Sequence, residues 1–371
     1  MKTVIYTMTH KKFDEPADPM YVPLQVGAAV HPSLGYLEDN TGDNISKQNC
    51  YYSELTGMYW VWKNVHDVDY VGICHYRRYL LNKNDVMFTA SEIEELMQHY
   101  DIITTKKLEL NFSYHYGFGE NHNIEDLDET ERVIHELYPA YSADFHRLVN
   151  QKHTYFGNIC IMRKKDYDAY CKWLFHIFFE LRPRLHLSGY DDYHKRVFGF
   201  ISEFLLYVWV KHHKMKAYEC KVGMTGEKVE TKEVKEKLRE YFFNKDIDGA
   251  KTYFRKCLDG RPDILMEASD VNGDLRVSMQ MISTAEHELE RYGHSYVDSN
   301  NDYRVLLRLF KLLNSIVVRY NNGTETAEDV ELLKGIKPSS VVIEIAATIF
   351  CKDEEHYNHV VIGMSHDIAR R

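Results

Sequence analysis

His75, Arg77 and Arg78 stand together in "DYVGICHYRRYLL", residues 69–81, directly after the apolar run Val71, Gly72, Ile73 and Cys74. Arginine is always charged and its planar fork matches phosphate oxygens, so two of them at the end of a buried strand suit a diphosphate. Alternation along a strand running on past Cys74 puts residues 75, 77 and 79 on one face and 76 and 78 on the other, so one arginine enters the site. The competing reading is a solvated surface pair in ordinary ion pairs. Glu203 is the next group of interest. It lies in the apolar "FISEFLL", where burial favours the neutral acid and raises its pKa unless a cation is near, the profile of a tuned general base. A glutamate on a wet helix face is equally compatible. Asp191 and Asp192, in "GYDDYHKR", are the alternative carboxylates for that role.

Other chemistry is weaker or absent. The loop "LEDNTGDNISKQN" offers Asp39, Asn40, Asp43 and Asn44 as acceptors for a nucleobase or ribose, although Asx-rich turns also arise for local reasons. "YHYGFGENHN" has glycines but no following helical run, so it fails as a dinucleotide fingerprint and reads as a glycine-bearing loop over a ligand. The 20 histidines include no HExxH, and the seven cysteines form no CxxC pair, so neither a zinc site nor a disulfide framework is indicated.

The elements that position these groups alternate in type. "TVIYTMTH" reads as a first strand ending at Thr9 and His10, "YVGICHY" as the next, "YDIITT" as a third and "YFGNICIMR" as a fourth, while "VPLQVGAAV" follows the first after a Pro-bearing loop. Between them fall "SELTGMYWVWKNV", an amphipathic helix with Ser53 as its cap, and "SEIEELMQHY", a helix opened by Ser91. "KKDYDAYCKWLFHIFFEL" and "RVFGFISEFLLYVWVKHH" read as long helices, the second buried. The pattern predicts a mostly parallel α/β sheet flanked by helices. In such sheets ligands bind beyond the carboxyl ends of the strands, where His75 falls. From "VGMTGEKVE" onward only charged amphipathic helices follow. The expected division is therefore residues 1–226 as an α/β domain and 227–371 as an α-helical domain.

A chain of 371 residues is long enough for two domains, and 44% hydrophobic content is enough for a core in each. The net charge of −10 argues against nucleic acid or an anionic membrane as the main partner. No apolar run approaches the about 20 residues of a spanning helix and the first residues do not resemble a signal peptide, so a soluble cytoplasmic protein is expected. The 28 tyrosines suit stacking on sugars and equally suit a tyrosine-rich core.

"QVGAA", "DNTGDNIS", "ELTGMYWVWKN" and "DYVGICHYRRYL", in this order, resemble a family of bacterial capsular and exopolysaccharide glycosyltransferases with a CHYRRY signature, long catalogued as a domain of unknown function. The resemblance covers residues 1–226. It implies a GT-A-like Rossmann-type sheet and transfer of a hexose from a UDP-sugar, with a lean to galactose or galactofuranose. The acceptor would be a glycan or lipid-linked glycan of a capsule, exopolysaccharide or lipopolysaccharide, met in the cytoplasm or at the inner face of the membrane. By the same resemblance Thr9, His10, Asp43 and Asn44 hold the nucleotide, His75 with Arg77 or Arg78 the diphosphate, Gly157 and Asn158 the sugar and acceptor, and Glu203 the proton of an inverting attack. Retention would need another role for Glu203. GT-A enzymes commonly hold Mn or Mg on an Asp-x-Asp; this chain has "CHYRR" where that motif is expected, which leaves the metal unknown. The helical half offers faces for a homo-oligomer. The alternative from another class is a non-catalytic module that binds a nucleotide and docks partners.

Overall fold

The computed structural model describes residues 1–265 and 269–370, and the chain divides into two compact units, Met1–Thr225 and Gly226–Arg371. The first is built on an eight-stranded sheet. In chain order the strands are β1 (Thr3–Thr9), β2 (Tyr21–Gln25), β3 (Leu37–Glu38), β4 (Tyr70–His75), β5 (Arg78–Leu81) and β6 (Ile102–Thr105). The short pair β7 (Leu108–Glu109) and β8 (His153–Thr154) follows, then β9 (Cys160–Arg163) and β10 (Ala217–Met224).

β1 to β4 run parallel, with β1 in the middle: Thr3 to Met8 sit opposite Tyr70 to His75, and Ile5 to Thr9 opposite Tyr21 to Gln25. Beyond β4 the sheet is mixed. β9 is antiparallel to both β4 and β6, β10 is parallel to β6, and β5 is antiparallel to β4 and β10. The reversal at β5 has a local cause: only Tyr76 and Arg77 connect it to β4, and a two-residue link joins antiparallel strands only. β10 escapes a reading by hydrophobic pattern because only Cys220 in it is buried.

Alternation on the central strands divides the core. Tyr6, Met8, Val71 and Ile73 face one side, where the helices Leu55–Asn64, Lys164–Leu181 and Val197–His212 contribute Met58, Phe175, Phe178, Phe204 and Leu205. Ile5, Tyr70, Cys74, Ile103 and Ile161 face the other, against Ile93 of the Ala90–Leu96 helix and Met97 beyond it. The Leu55–Asn64 helix lies hard against the end of β1: a Cβ on Gly57 would come within 2.4 Å of Met8 Sδ and 2.8 Å of Val26 Cγ1. Only glycine permits that approach, which brings the helix's first turn to the strand ends.

Several local expectations are corrected. Ser53 does not cap the Leu55–Asn64 helix; Glu54 holds the N-cap position without a side-chain bond, and Ser53 has φ 49° and ψ −126°. The Ala90–Leu96 helix opens at Thr89, which forms a reciprocal capping box with Glu92, so Ser91 lies inside it. "YHYGFGENHN" contains a helix, Tyr114–Gly119, capped by Ser113, because Tyr114 and Phe118 are buried as anchors. Asp39 in the Asn-rich loop is fully buried, where it accepts hydrogen bonds from the Gly27 and Ala28 amides and the Ser46 hydroxyl.

The second unit is helical throughout its described residues, with Val229–Phe243, Ile247–Gly260, Asp274–Tyr292, Tyr303–Asn322, Ala327–Ile336, Ser340–Phe350 and Glu354–Ala369 as its longer elements. Leu306, Phe310, Leu313, Ile316, Val317 and Tyr320 bury one stripe of Tyr303–Asn322 in this unit's own core. Within that core Gln280 and Asn314 exchange two hydrogen bonds, of 2.9 and 2.7 Å, which satisfies both amides. No helix among the described residues is long and apolar enough to cross a membrane.

Candidate functional site

β4 ends at His75, and its residue partner across the hairpin is Arg78. The alternation expected for a continuing strand therefore does not apply: the turn at Tyr76 and Arg77 sets Arg78 beside His75. Arg78 reaches the backbone of Gly157, with Nη1 3.7 Å from where a Cβ on that glycine would stand. Arg77 turns elsewhere, its guanidinium 5.2 Å from the Tyr76 ring centroid. Arg77 Nε and His75 Nε2 are both buried without a hydrogen-bond partner among the described residues. Two orphaned polar atoms at one strand end ask for a ligand or water.

The electrostatics change the role of His75. Burial pushes the imidazole down to about 4, Arg78 and Arg77 act in the same direction, and Glu54 and the Gly157 carbonyl oppose them. The ring is therefore neutral near pH 7. Its expected service as a positive charge on a diphosphate falls to Arg78, while His75 offers a neutral ring nitrogen.

Glu203 projects from the Val197–His212 helix into this region and is half-buried. Burial drives its carboxyl up to about 8; the Glu54 charge adds to the rise, while Arg78, the Gly157 amide and Arg196 resist it. The cation foreseen as the condition for a normal pKa is present, yet burial outweighs it. Glu54 has the opposite balance. Burial pushes it up, but the Arg196 cation and the Asn158 amide hold it below the usual carboxylate range, and His75 adds to this only when it carries a proton.

Asn158 links these elements. It is 2% exposed, at φ 49° beside Gly157 at φ 98°, on the chain entering β9. Its Nδ2 donates to Glu54 Oε1 at 2.8 Å and to the Gly199 carbonyl at 3.1 Å, and its Oδ1 accepts from Ser202 Oγ at 2.9 Å. So occupied, the amide holds Glu54 and has little capacity left for a sugar. Arg196 Nε donates to Ser53 Oγ at 3.0 Å, which ties the cation to the segment bearing Glu54.

The remaining predicted residues lie in other surroundings. His10 is 5.4 Å from Tyr76, edge to face, and Phe13 and Tyr36 extend this aromatic group beyond the end of β1. Thr9 Oγ1 donates to the Lys11 carbonyl and accepts from its amide, which shapes the turn there. Asp43 accepts from Tyr59 at 2.9 Å and pairs with Lys63 at 3.6 Å, and Asn44 bonds Gly42 and Ser46. Asp191 accepts from the Tyr193 and His194 amides and the His194 ring, and fully exposed Asp192 pairs with Lys195. These four are bonded within their own segments or to the Leu55–Asn64 helix. Glu54 is the group that reading from sequence missed, since a glutamate at a helix start is already explained by the helix dipole.

The end of β4 thus brings together a cation, a neutral imidazole and two carboxylates in opposite protonation states, a set able to bind an anion and move a proton. Among the described residues no three His, Cys, Asp or Glu side chains are grouped to hold a metal ion.

A sheet whose parallel strands end on such a cluster is of the open α/β class that binds ligands at the carboxyl ends of its strands. Within that class the chain belongs to the family described as a domain of unknown function (DUF4422), whose model matches residues 4–214. Among solved structures it is similar to the apo structure of WbbM, a bifunctional glycosyltransferase, with a TM-score of 0.56 and 30% identity. That match covers 61% of this chain and 46% of the WbbM chain, so the chain spans less than half of that protein. No curated protein matches it.

Proposed function

We propose that this protein is a glycosyltransferase that moves a hexosyl group, of galactose or galactofuranose type, from a UDP-sugar to a growing capsule, exopolysaccharide or lipopolysaccharide glycan. The likeness to a bifunctional glycosyltransferase supports the reaction class. The observation that carries the site is the placement of Arg78 beside His75 at the end of β4, with Glu203 near enough for its carboxyl to respond to the Arg78 charge.

In this reading the aromatic group of His10, Phe13, Tyr36 and Tyr76 receives the nucleoside, with Thr9 shaping the turn beneath it and Asp43 and Asn44 completing the pocket. Arg78, assisted by Arg77, balances the diphosphate, and its charge is worth most as the leaving group gains negative charge. The Gly157–Asn158 turn lines the sugar. The acceptor hydroxyl attacks the anomeric carbon, the bond to the diphosphate breaks, and Glu203 takes the hydroxyl proton, with inversion. A carboxylate of pKa about 8 is a strong base, of which about a tenth is ionised at pH 7. The reaction takes place in the cytoplasm or at the inner membrane face, and the helical unit serves acceptor recognition or self-association.

The test is UDP release from a panel of UDP-sugars with a glycan acceptor, with manganese and with EDTA. Turnover of one sugar supports the transferase; binding of UDP with no turnover of any sugar would favour a nucleotide-binding module.

A further inference from the structure

We propose that Glu54 is a second catalytic residue, whose fixed carboxylate faces the donor sugar and stabilises the positive charge that develops at the anomeric carbon during transfer. This rests on the glycosyltransferase reading and adds a role which that reading leaves open.

The backbone gives the first argument. Ser53, at φ 49° and ψ −126°, immediately precedes Glu54; Gly157, at φ 98°, and Asn158, at φ 49°, stand on the segment that meets it. Left-handed conformations at two non-glycine residues are costly, and they persist where surrounding structure fixes them, often at sites of function. All three converge on one hydrogen bond, Asn158 Nδ2 to Glu54 Oε1 at 2.8 Å.

Further bonds fix that amide in place. Ser202 Oγ donates to Asn158 Oδ1, and the Gly199 carbonyl accepts from Nδ2, so the amide is oriented with its donor toward Glu54. Arg196, tied to Ser53, balances the charge. Asn158 bonds Oε1, and Glu54's own amide also bonds the carboxylate, so its orientation is set from two sides.

Glu54 occupies the N-cap position of Leu55–Asn64 and makes no side-chain cap bond, so its carboxylate is not taken up by the free amides of the first turn. Two carboxylates whose surroundings push them apart, Glu54 down and Glu203 up, suit a division of labour. As transfer proceeds, the acceptor oxygen bonds to the anomeric carbon and the old carbon–oxygen bond leaves its electron pair on the nucleoside diphosphate. The hydroxyl proton passes to Glu203. Glu54 forms no bond and is unchanged, but opposes the charge of the oxocarbenium-like transition state.

The experiment uses the full chain and the UDP-sugar identified by UDP release. Glu54→Gln should keep UDP affinity within about threefold and lower kcat by roughly 100-fold to 1,000-fold, the scale of a lost transition-state electrostatic contact. The loss should persist at high pH, where Glu203 is ionised. Ser202→Ala, which frees the Asn158 amide, should lower kcat by about tenfold with little change in donor KM. Normal kcat per folded molecule in Glu54→Gln would overturn the proposal, as would a glycosyl group covalently trapped on Glu54 and seen by intact mass. If Glu54→Gln does not fold, Glu54→Asp decides: a shortened carboxylate that supports full kcat refutes the role. Absence of turnover by the unaltered chain with every sugar would overturn the transferase reading itself, an outcome distinct from equal turnover by it and the variant.

Discussion

Replacing Glu203 by glutamine should stabilise the first unit while it slows transfer. A carboxyl displaced from 4.5 to about 8 on folding keeps its proton in the native state at pH values where the unfolded chain gives it up. Below pH 4.5 both states are protonated and nothing is lost. Between 4.5 and about 8 the native state binds more protons, so stability falls as pH rises, and above 8 the full cost is present. At about 1.4 kcal/mol per pH unit the displacement has a ceiling of ~5 kcal/mol. Glu203 is half-buried, so screening by solvent reduces this to about 1–3 kcal/mol. Glutamine keeps the shape and the acceptor for the Gly157 amide without the charge. For a unit of this size the gain corresponds to roughly 3–10 °C in the melting transition at pH 8.5, fading to none at pH 4.5. Thermal melts of both proteins across that range, following the α/β unit's transition, provide the assay. Transfer per folded molecule should fall by roughly 100-fold. A variant less stable at pH 8.5, or one whose gain does not depend on pH, would refute the assignment of a buried, proton-retaining carboxyl.

Arg78→Ala should weaken UDP binding by about 1.5–3 kcal/mol, the scale of a charged hydrogen bond, and Arg77→Ala by less, because Arg77 rests on Tyr76; calorimetric titration that ranks them in reverse would show that the clamp is misassigned. UDP release should persist at least partly in EDTA, since "CHYRR" stands where an Asp-x-Asp is expected and Arg78 supplies the positive charge there; full loss restored by manganese would contradict this. A chain ending at residue 225 should fold and bind UDP, because that unit has its own core, while losing acceptor recognition or self-association; a folded fragment that cannot bind UDP would place part of the donor site in the helical unit.

The parts of this molecule legible in its sequence are those that follow one rule at a time. β1, β4 and β6 are short apolar runs, and Lys164–Leu181 and Val197–His212 carry helical periodicity long enough to outweigh local noise. The strand-end location of His75 followed from the same reasoning, which left open whether Glu203 is buried or on a wet helix face. What escaped depends on pairing. β10 lacks an apolar pattern, since most of its residues are only half-buried, and the direction of β9 is set by its neighbours on β4 and β6. The position of Arg78 turns on a two-residue reversal that a continuous reading of the strand cannot see.

Glu54 shows why a site can stay hidden even when its residues are in view. In "SELTGMYWVWKN" it is a glutamate before an amphipathic helix, and helix electrostatics explain it fully. Its meaning arises from Asn158, 104 positions away, and from Ser202 and Gly199 behind that amide. Ser53 carries the cost in its backbone, and no propensity scale marks a serine as strained. Charge sign alone also misleads, for His75 becomes neutral through the burial and the arginines that sequence proximity would enlist as its allies. Functional chemistry in this fold therefore resides in the differences between like groups: one arginine inward and one on an aromatic ring, one carboxylate ionised and one protonated. Those differences are created where β4, the Leu55–Asn64 helix, the Gly157–Asn158 turn and the Val197–His212 helix converge, and each of the four contributes side chains that are ordinary when read alone.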